Sequence, residues 1–250
     1  MQPNNFSLEL IRPDWPAPST VKAYTTTRQG GVSHKPYDNF NLADHVQDDS
    51  GAVKTNRQRL KMALNLPTEP AWLTQVHSSN SVCLGSKDQF NCVADASYTN
   101  IPKMVCVVLT ADCLPILLCD REGTQVAALH AGWRGLAGGV LEQTMRRFKG
   151  PRSQLLAWLG PAIGPEAFEV GDEVRSAFIE FLPSAELAFQ ATRAHHWKAN
   201  LYLLAQQRLA ASGIHAVYGG QFCTYSESER FFSYRRDKMT GRLASLIWFE

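Results

Sequence analysis

Two imidazoles and a thiol, His77, Cys113 and His130, form a set whose residue types could do chemistry. Nitrogen and sulfur donors of this kind suit zinc, and three protein ligands leave a fourth position for water or substrate, as in catalytic rather than structural sites. Zinc in such a site lowers the pKa of a water it holds to about 7 and polarises a carbonyl or a leaving group. The positions are far apart in sequence, unlike the short spacings of HExxH or CxxC, so spacing alone leaves rival readings open. His77 and His130 can be hydrogen-bonded structural histidines with Cys113 a buried thiol. Cys113 can instead be the nucleophile of a cysteine hydrolase, with a histidine as base. His2Cys with a weak axial methionine is also the blue-copper set of an electron carrier, and Met104 is the nearest methionine, although blue-copper ligands usually cluster on one loop.

Anion-binding residues are less distinctive. Arg28 stands beside a Gly30-Gly31 turn whose backbone N–H groups could cradle a phosphate, and its guanidinium could pair with phosphate oxygens; the plainer reading is a tight hairpin with a solvated arginine. Arg235 and Arg236 read as a surface pair. Asn41 and Gln75 could orient a substrate through their amides or equally brace a turn and a strand. Trp133 reads as packing rather than as a stacking platform. Cytidine-type deaminases need HxE and PCxxC, which are absent around His77 and His130. A full multicopper centre needs many histidines, whereas the chain has seven, with His195-His196 the only adjacent pair.

The elements that must position these groups read as short strands and helices. Ala71 to His77 alternates as a strand that would put Gln75 and His77 on one face. Met104 to Thr110 is an apolar, β-branched run of a central strand that breaks at Ala111-Asp112-Cys113. Gln125 to His130 is a strand ending at a ligand, and Ala131-Gly132 supplies small residues for close approach. Ala244 to Phe249 closes the chain as a strand. A surface helix capped by Asp49 or Ser50 puts Val53, Leu60 and Ala63 or Leu64 on one face. Others run from Leu136 to Phe148, ended by Gly150-Pro151, and from Leu201 to Ala211, ended by Gly213. Strands and helices that do not alternate regularly argue for an α+β fold.

With 250 residues, 44% of them hydrophobic, and no linker-like stretch, the chain is expected to form one domain over 1–250. A formal charge of +2 gives no footprint for nucleic acid. No apolar run approaches the roughly 20 residues of a membrane span. Met1 to Pro18 carries acidic and proline residues rather than a basic patch before an apolar stretch, so a cytoplasmic location is expected. The six cysteines are scattered without CxxC pairs and read as free thiols, with Cys106 and Cys119 buried in apolar runs.

Longer motifs occur in order: Thr25 to Ser33, Asn39-Phe40-Asn41-Leu42, Gln75-Val76-His77, Thr110-Ala111-Asp112-Cys113-Leu114-Pro115, and His130-Ala131-Gly132-Trp133-Arg134-Gly135. Leu159 to Pro165, Phe168-Glu169-Val170-Gly171, Phe232 to Asp237 and Thr240-Gly241-Arg242 continue the series. Together they resemble the peptidoglycan-editing-factor and purine nucleoside phosphorylase family, long labelled polyphenol oxidase or laccase-domain, over nearly the whole chain. The resemblance implies a sandwich of mixed sheets flanked by helices, of the cytotoxic-necrotizing-factor-like hydrolase type. It implies one Zn2+ on His77, Cys113 and His130, with copper the lesser alternative, and phosphate or substrate contacts from Arg28, Asn41, Gln75 and Arg235. The implied activities are phosphorolysis of adenosine, inosine and methylthioadenosine, adenosine deamination, and removal of L-serine from a muramoyl-peptide precursor, UDP-MurNAc-L-Ser. Two departures from the family wording stand out: Ser78-Ser79 where a glycine is common after the histidine, and Asn200 where an aspartate is common.

Overall fold

The computed structural model describes residues 7–85 and 92–250, so the opening residues 1–6 of the segment read above for a leader lie outside it. A four-stranded antiparallel sheet runs in the order Leu10–Ile11, Val21–Thr26, Leu243–Phe249, Cys106–Thr110. A six-stranded sheet follows the order Ala216–Gly219, Leu155–Leu159, Leu114–Asp120, Val126–Ala131, Ala96–Thr99, Ser81–Cys83. It is antiparallel in the middle and ends in a parallel pair at each edge. A small antiparallel sheet joins Phe189–Arg193, His196–Ala199 and Glu169–Gly171.

Side-chain alternation explains how the two large sheets stack. Cys106, Val108, Ile247 and Phe249 of the first share one core cluster with Leu117, Cys119, Val126, Ala128 and Trp158 of the second. The opposite face of the second, with Ile116, Leu118, Ala127 and Leu129, packs under Leu136, Leu141, Leu204 and Leu209. The opposite face of the first, with Val107, Leu109, Leu246 and Trp248, packs on Phe40, Leu42 and Leu60. The result is a mixed α+β sandwich with helices outside two face-to-face sheets. Central strands covered on both faces have no polar side to show, which is why Cys106–Thr110, Leu114–Asp120 and Val126–Ala131 are buried at every position.

The helix Ser50–Leu64 starts where Asp49 accepts from Ala52 N at 2.7 Å. Leu201–Ala211 starts where Asn200 accepts from Leu203 N at 3.0 Å. Asparagine caps as well as aspartate, so the departure at 200 costs this helix little. The expected helix Leu136–Phe148 is corrected to two, Trp133–Ala137 and Val140–Met145, because Gly138-Gly139 breaks it with Gly139 at φ +91. The expected strand 71–77 is an extended loop holding only isolated bridges, Ala71 to Cys106 and Thr74 to Val93. Leu114–Asp120, unmarked in the reading of the sequence, is the strand at the heart of the larger sheet. Among the described residues no helix is long and apolar enough to cross a membrane.

Candidate active site

Ala111-Asp112-Cys113 carries the chain out of one large sheet at Thr110 and into the other at Leu114. Cys113 therefore sits at the seam between the sheets. His130 lies opposite Pro115 in the strand register. Two-residue periodicity gives it the face of Val126 and Ala128, which looks toward the other sheet. His77 comes from the loop before Ser81–Cys83 and has a left-handed backbone at φ +60. Such conformations cost energy for a non-glycine residue and gather where a site demands them. Asp112, in the turn itself, also has positive φ, +89. Its carboxylate accepts from Thr224 Oγ1 at 2.7 Å and Arg235 N at 2.6 Å, tying the turn to the C-terminal loops.

The donor set fits a metal. Cys113 Sγ is 3.8 Å from His77 Nε2, and the three ligand atoms of His77, Cys113 and His130 all lie within 4.8 Å of one another. Tetrahedral zinc with bonds of about 2.0 Å to nitrogen and 2.3 Å to sulfur separates N and S by roughly 3.6 Å, so small side-chain movements close the set. Gly132 makes the thiol's seat: a Cβ there would lie 2.8 Å from Cys113 Sγ. Met104 packs between the sheets before Cys106–Thr110, whose far end leads to Cys113. At about 3.3 Å per strand residue that is beyond reach of an axial bond, which removes Met104 as an axial ligand.

Behind the donors sits Asp95, fully buried. One carboxylate oxygen accepts from His130 Nδ1 at 2.8 Å and His77 N at 3.0 Å; the other accepts from Ser78 N at 2.6 Å and Ser78 Oγ at 2.8 Å. Burial works against its charge, but hydrogen bonds from His130 and Ser78 outweigh that and hold the carboxyl at about 2. The serine that departs from the family wording thus adds a donor to this carboxylate. Burial also opposes a Cys113 thiolate, yet His130 and His77, by charge and hydrogen bonding, bring the thiol below its ordinary value. Burial likewise opposes a charged His130, and Cys113 and Asp95 raise it. Cys113 and His130 thus each favour the charged form of the other.

The donors open into a cavity of about 550 Å³. Arg134, Arg235, Lys238, Arg242 and His45 supply cationic or titratable groups to its wall, and Trp133, Phe168 and Tyr234 supply aromatic surface. Arg235 Nη1 donates to the carbonyls of Ala167 and Glu169, and Arg242 Nη1 to those of Thr240 and Gly241, which fixes both guanidinia at the rim. Trp133 packs on the core as well as lining the cavity.

Three expected substrate contacts are placed differently. Arg28 is not on the cavity wall: Nε donates to Asp38 O at 2.9 Å, Nη1 to Ser228 O at 3.0 Å, and the guanidinium lies over Phe232. It ties two loops together. Asn41 is fully buried, donating to Ala43 O and Asp48 and accepting from Ala43 N and Arg242 N. Gln75 reaches the wall, but its amide bonds both N and O of Leu109, acting as a strand partner. Arg236 is no surface pair with Arg235, since it donates to the carbonyls of Thr224, Tyr225 and Phe231. Asp95, Arg134, Lys238 and Arg242 were missed. Asp95 had one visible signal, a lone charge inside the small apolar run 93–96.

Residues 22–250 match the family described as multi-copper polyphenol oxidoreductase laccase. The chain belongs to that family. A relative from Haemophilus influenzae, named purine nucleoside phosphorylase, is 52% identical over 97% of this chain and 100% of its own length. Another, purine nucleoside phosphorylase YfiH of Escherichia coli, is 53% identical over 96% of this chain and 98% of its own. A solved Neisseria meningitidis structure superposes with a TM-score of 0.93 at 48% identity, covering 96% of this chain and 99% of that one. YlmD from Geobacillus stearothermophilus gives 0.87 at 29% identity over 98% of both. Membership in a family with relatives so named makes this chain an enzyme.

Proposed function

We propose that the cavity binds a purine nucleoside and phosphate and catalyses phosphorolysis, with one zinc ion on His77, Cys113 and His130. The observation that supports this most directly is the opening of a His2Cys donor set into a cavity lined by Arg134, Arg235, Lys238 and Arg242. The relatives' names point the same way. Zinc, when bound, supplies Lewis-acid polarisation. Phosphorolysis places a phosphate oxygen in line with ribose C1′; the C–O bond forms as the C–N bond breaks, and the purine leaves with the bonding pair and takes up a proton. A dianionic nucleophile needs fixed cations to hold it, and the rim arginines, anchored through backbone carbonyls, are already oriented for that. Trp133, Phe168 and Tyr234 offer faces for the purine. Arg28 is replaced in this proposal by Arg235 and Arg242.

Adenosine deamination and release of L-serine from UDP-MurNAc-L-Ser belong to the same proposal, because each exchanges a C–N for a C–O bond, with water as nucleophile. The test is metal analysis with an activity panel of inosine and adenosine phosphorolysis, adenosine deamination and L-serine release. Wild type should hold one zinc per chain. His77→Ala, Cys113→Ala and His130→Ala should each lose most of it together with every activity. Three variants with full metal would refute the ligand assignment, and phosphorolysis undiminished in metal-free Cys113→Ala would refute the shared cavity.

One geometric observation favours a second reading. Cys113, His130 and Asp95 line up as nucleophile, base and orienting carboxylate of a cysteine hydrolase. Iodoacetamide distinguishes the two: activity lost with Cys113 alkylated and zinc retained supports the hydrolase. The modified cysteine must be mapped, because Cys83 is exposed and Cys223, partly exposed, also has a lowered thiol pKa.

A further inference from the structure

We propose that Asp95 is the positioning residue of this site, fixing which nitrogen His130 presents and holding the His77 loop in place. The inference rests on the metal reading above and concerns a residue that never touches the ligand.

Among the described residues, Asp95 is the one whose side chain bonds two of the three donor-bearing segments. Its carboxylate takes His130 Nδ1 at 2.8 Å, which makes Nδ1 the protonated nitrogen and leaves Nε2 as the nitrogen His130 has to offer the donor group it forms with His77 and Cys113. The same carboxylate collects three successive backbone N–H groups, from Val76 at 3.3 Å, His77 at 3.0 Å and Ser78 at 2.6 Å, plus the Ser78 hydroxyl. Three consecutive amides turned toward one anion require a tightly curled backbone, and His77 at φ +60 is where the curl is made. The strain at His77 and the tautomer of His130 thus share one cause. Asp95 is held in turn by the backbone, its N donating to Asn80 O and its O accepting from His130 N at 2.7 Å.

Asp95→Asn separates charge from shape. All five contacts on the carboxylate are donors, and an amide has one accepting oxygen and one donating nitrogen. With NH2 toward His130, the imidazole must accept at Nδ1 and carry its proton on Nε2, which then cannot bind a metal. With NH2 toward Ser78, the 76–78 loop loses its anchor and His77 its conformation. Either rotamer removes one ligand.

The measurements are zinc affinity by competition with a chromophoric chelator in wild type and Asp95→Asn, and long-range 15N–1H NMR of the histidines in zinc-loaded wild type. We expect a 10–100-fold loss of zinc affinity in the variant, the range seen when such outer partners are removed. We expect His130 in wild type to be protonated at Nδ1 and zinc-bound at Nε2. A merely structural residue would lower the melting temperature without fixing that tautomer. Wild-type affinity in a folded Asp95→Asn, or His130 bound through Nδ1, overturns the proposal. If the variant does not fold, the wild-type spectrum decides alone. Wild type that takes no zinc sinks the metal reading and this one together, whereas zinc-loaded wild type with the opposite tautomer sinks only this one.

Discussion

Gly132→Ala tests the seat of the thiol with a single methyl group. The backbone at 132, φ −59 and ψ 161, is open to alanine, so no torsional strain enters. The added Cβ would stand 2.8 Å from Cys113 Sγ and 3.4 Å from His77 Cδ2. Non-bonded contacts are optimal near ~3.5–4.0 Å, so the sulfur must retreat by roughly 0.7 Å. Metal sites tolerate about 0.2 Å in a ligand distance, so the thiolate loses its place in the set. Zinc affinity should fall at least about tenfold, equivalent to ~1.4 kcal/mol. Overpacking costs ~1–3 kcal/mol, which at ~2–4 °C per kcal/mol lowers the melting temperature by several degrees. Chelator competition reads the first effect and thermal unfolding in EDTA the second. The double variant Gly132→Ala/Cys113→Ala should recover the metal-free melting temperature, since the clash partner is gone, without recovering zinc. Gly132→Ala with wild-type zinc affinity would refute the argument, because a thiol that can move that far is not a ligand in this geometry.

The two arginines now separated by the structure should behave oppositely. Arg28→Ala should cost ~1–3 kcal/mol in urea unfolding, from lost bonds to Asp38 O and Ser228 O, and leave the phosphate KM unchanged. Arg242→Ala should raise the phosphate KM about tenfold or more with metal content intact; an unchanged KM removes Arg242 from the anion site. Acid sensitivity follows from Asp95, held at about 2 against an ordinary 3.8. A folded-state pKa below the unfolded one stabilises fully above the unfolded value and is lost as pH falls through the folded one. Wild type should therefore lose about 2 kcal/mol from this group between roughly pH 4 and pH 2. Asp95→Asn should lack that component, and equal slopes for the two proteins in urea titrations over this interval would contradict it.

The strands that lead to Cys113 and His130 could be read in the sequence because strand ends are legible, whereas the grouping of His77, Cys113 and His130 into one donor set came from the resemblance rather than from spacing. Met104 to Thr110 and Gln125 to His130 announce buried strands by composition, and each is followed by small or polar residues where a chain must turn. The same signal failed at 71–77. Its alternation was real on the Leu73, Gln75, His77 side, but a strand needs a partner along its length, and here the Gln75 side chain alone supplies the bonds to Leu109. Leu114–Asp120 carries at its second position a proline, Pro115, which cannot donate a ladder bond and so gives no strand signal there. It is tolerated near the strand's start, where it stands opposite His130 and its carbonyl accepts from Gly160 N at 2.9 Å. The helix from Leu136 was drawn too long because the Gly138-Gly139 pair falls inside an otherwise good apolar pattern.

Arg235 lines the cavity as expected, whereas Arg28 and Asn41 stand away from its wall for a different reason. A metal ligand is identified by the chemistry of its own side chain, whereas an arginine is defined by whatever its five N–H groups meet. Arg28 meets Asp38 nearby, which local sequence could suggest, and Ser228 two hundred residues later, which it could not. Arg242 was equally hidden: its place on the cavity wall depends on Asn41 accepting from its backbone N, so the amide expected to touch substrate instead sets the position of the arginine that lines the cavity. Asn41 therefore acts on the site at one remove. Its four hydrogen bonds, to Ala43, Asp48 and Arg242, leave the amide no capacity for a ligand. The motifs around Arg28 and Asn41 are in this light a frame: they lock the loops beneath Arg242, and a change there should reach catalysis only by moving the rim.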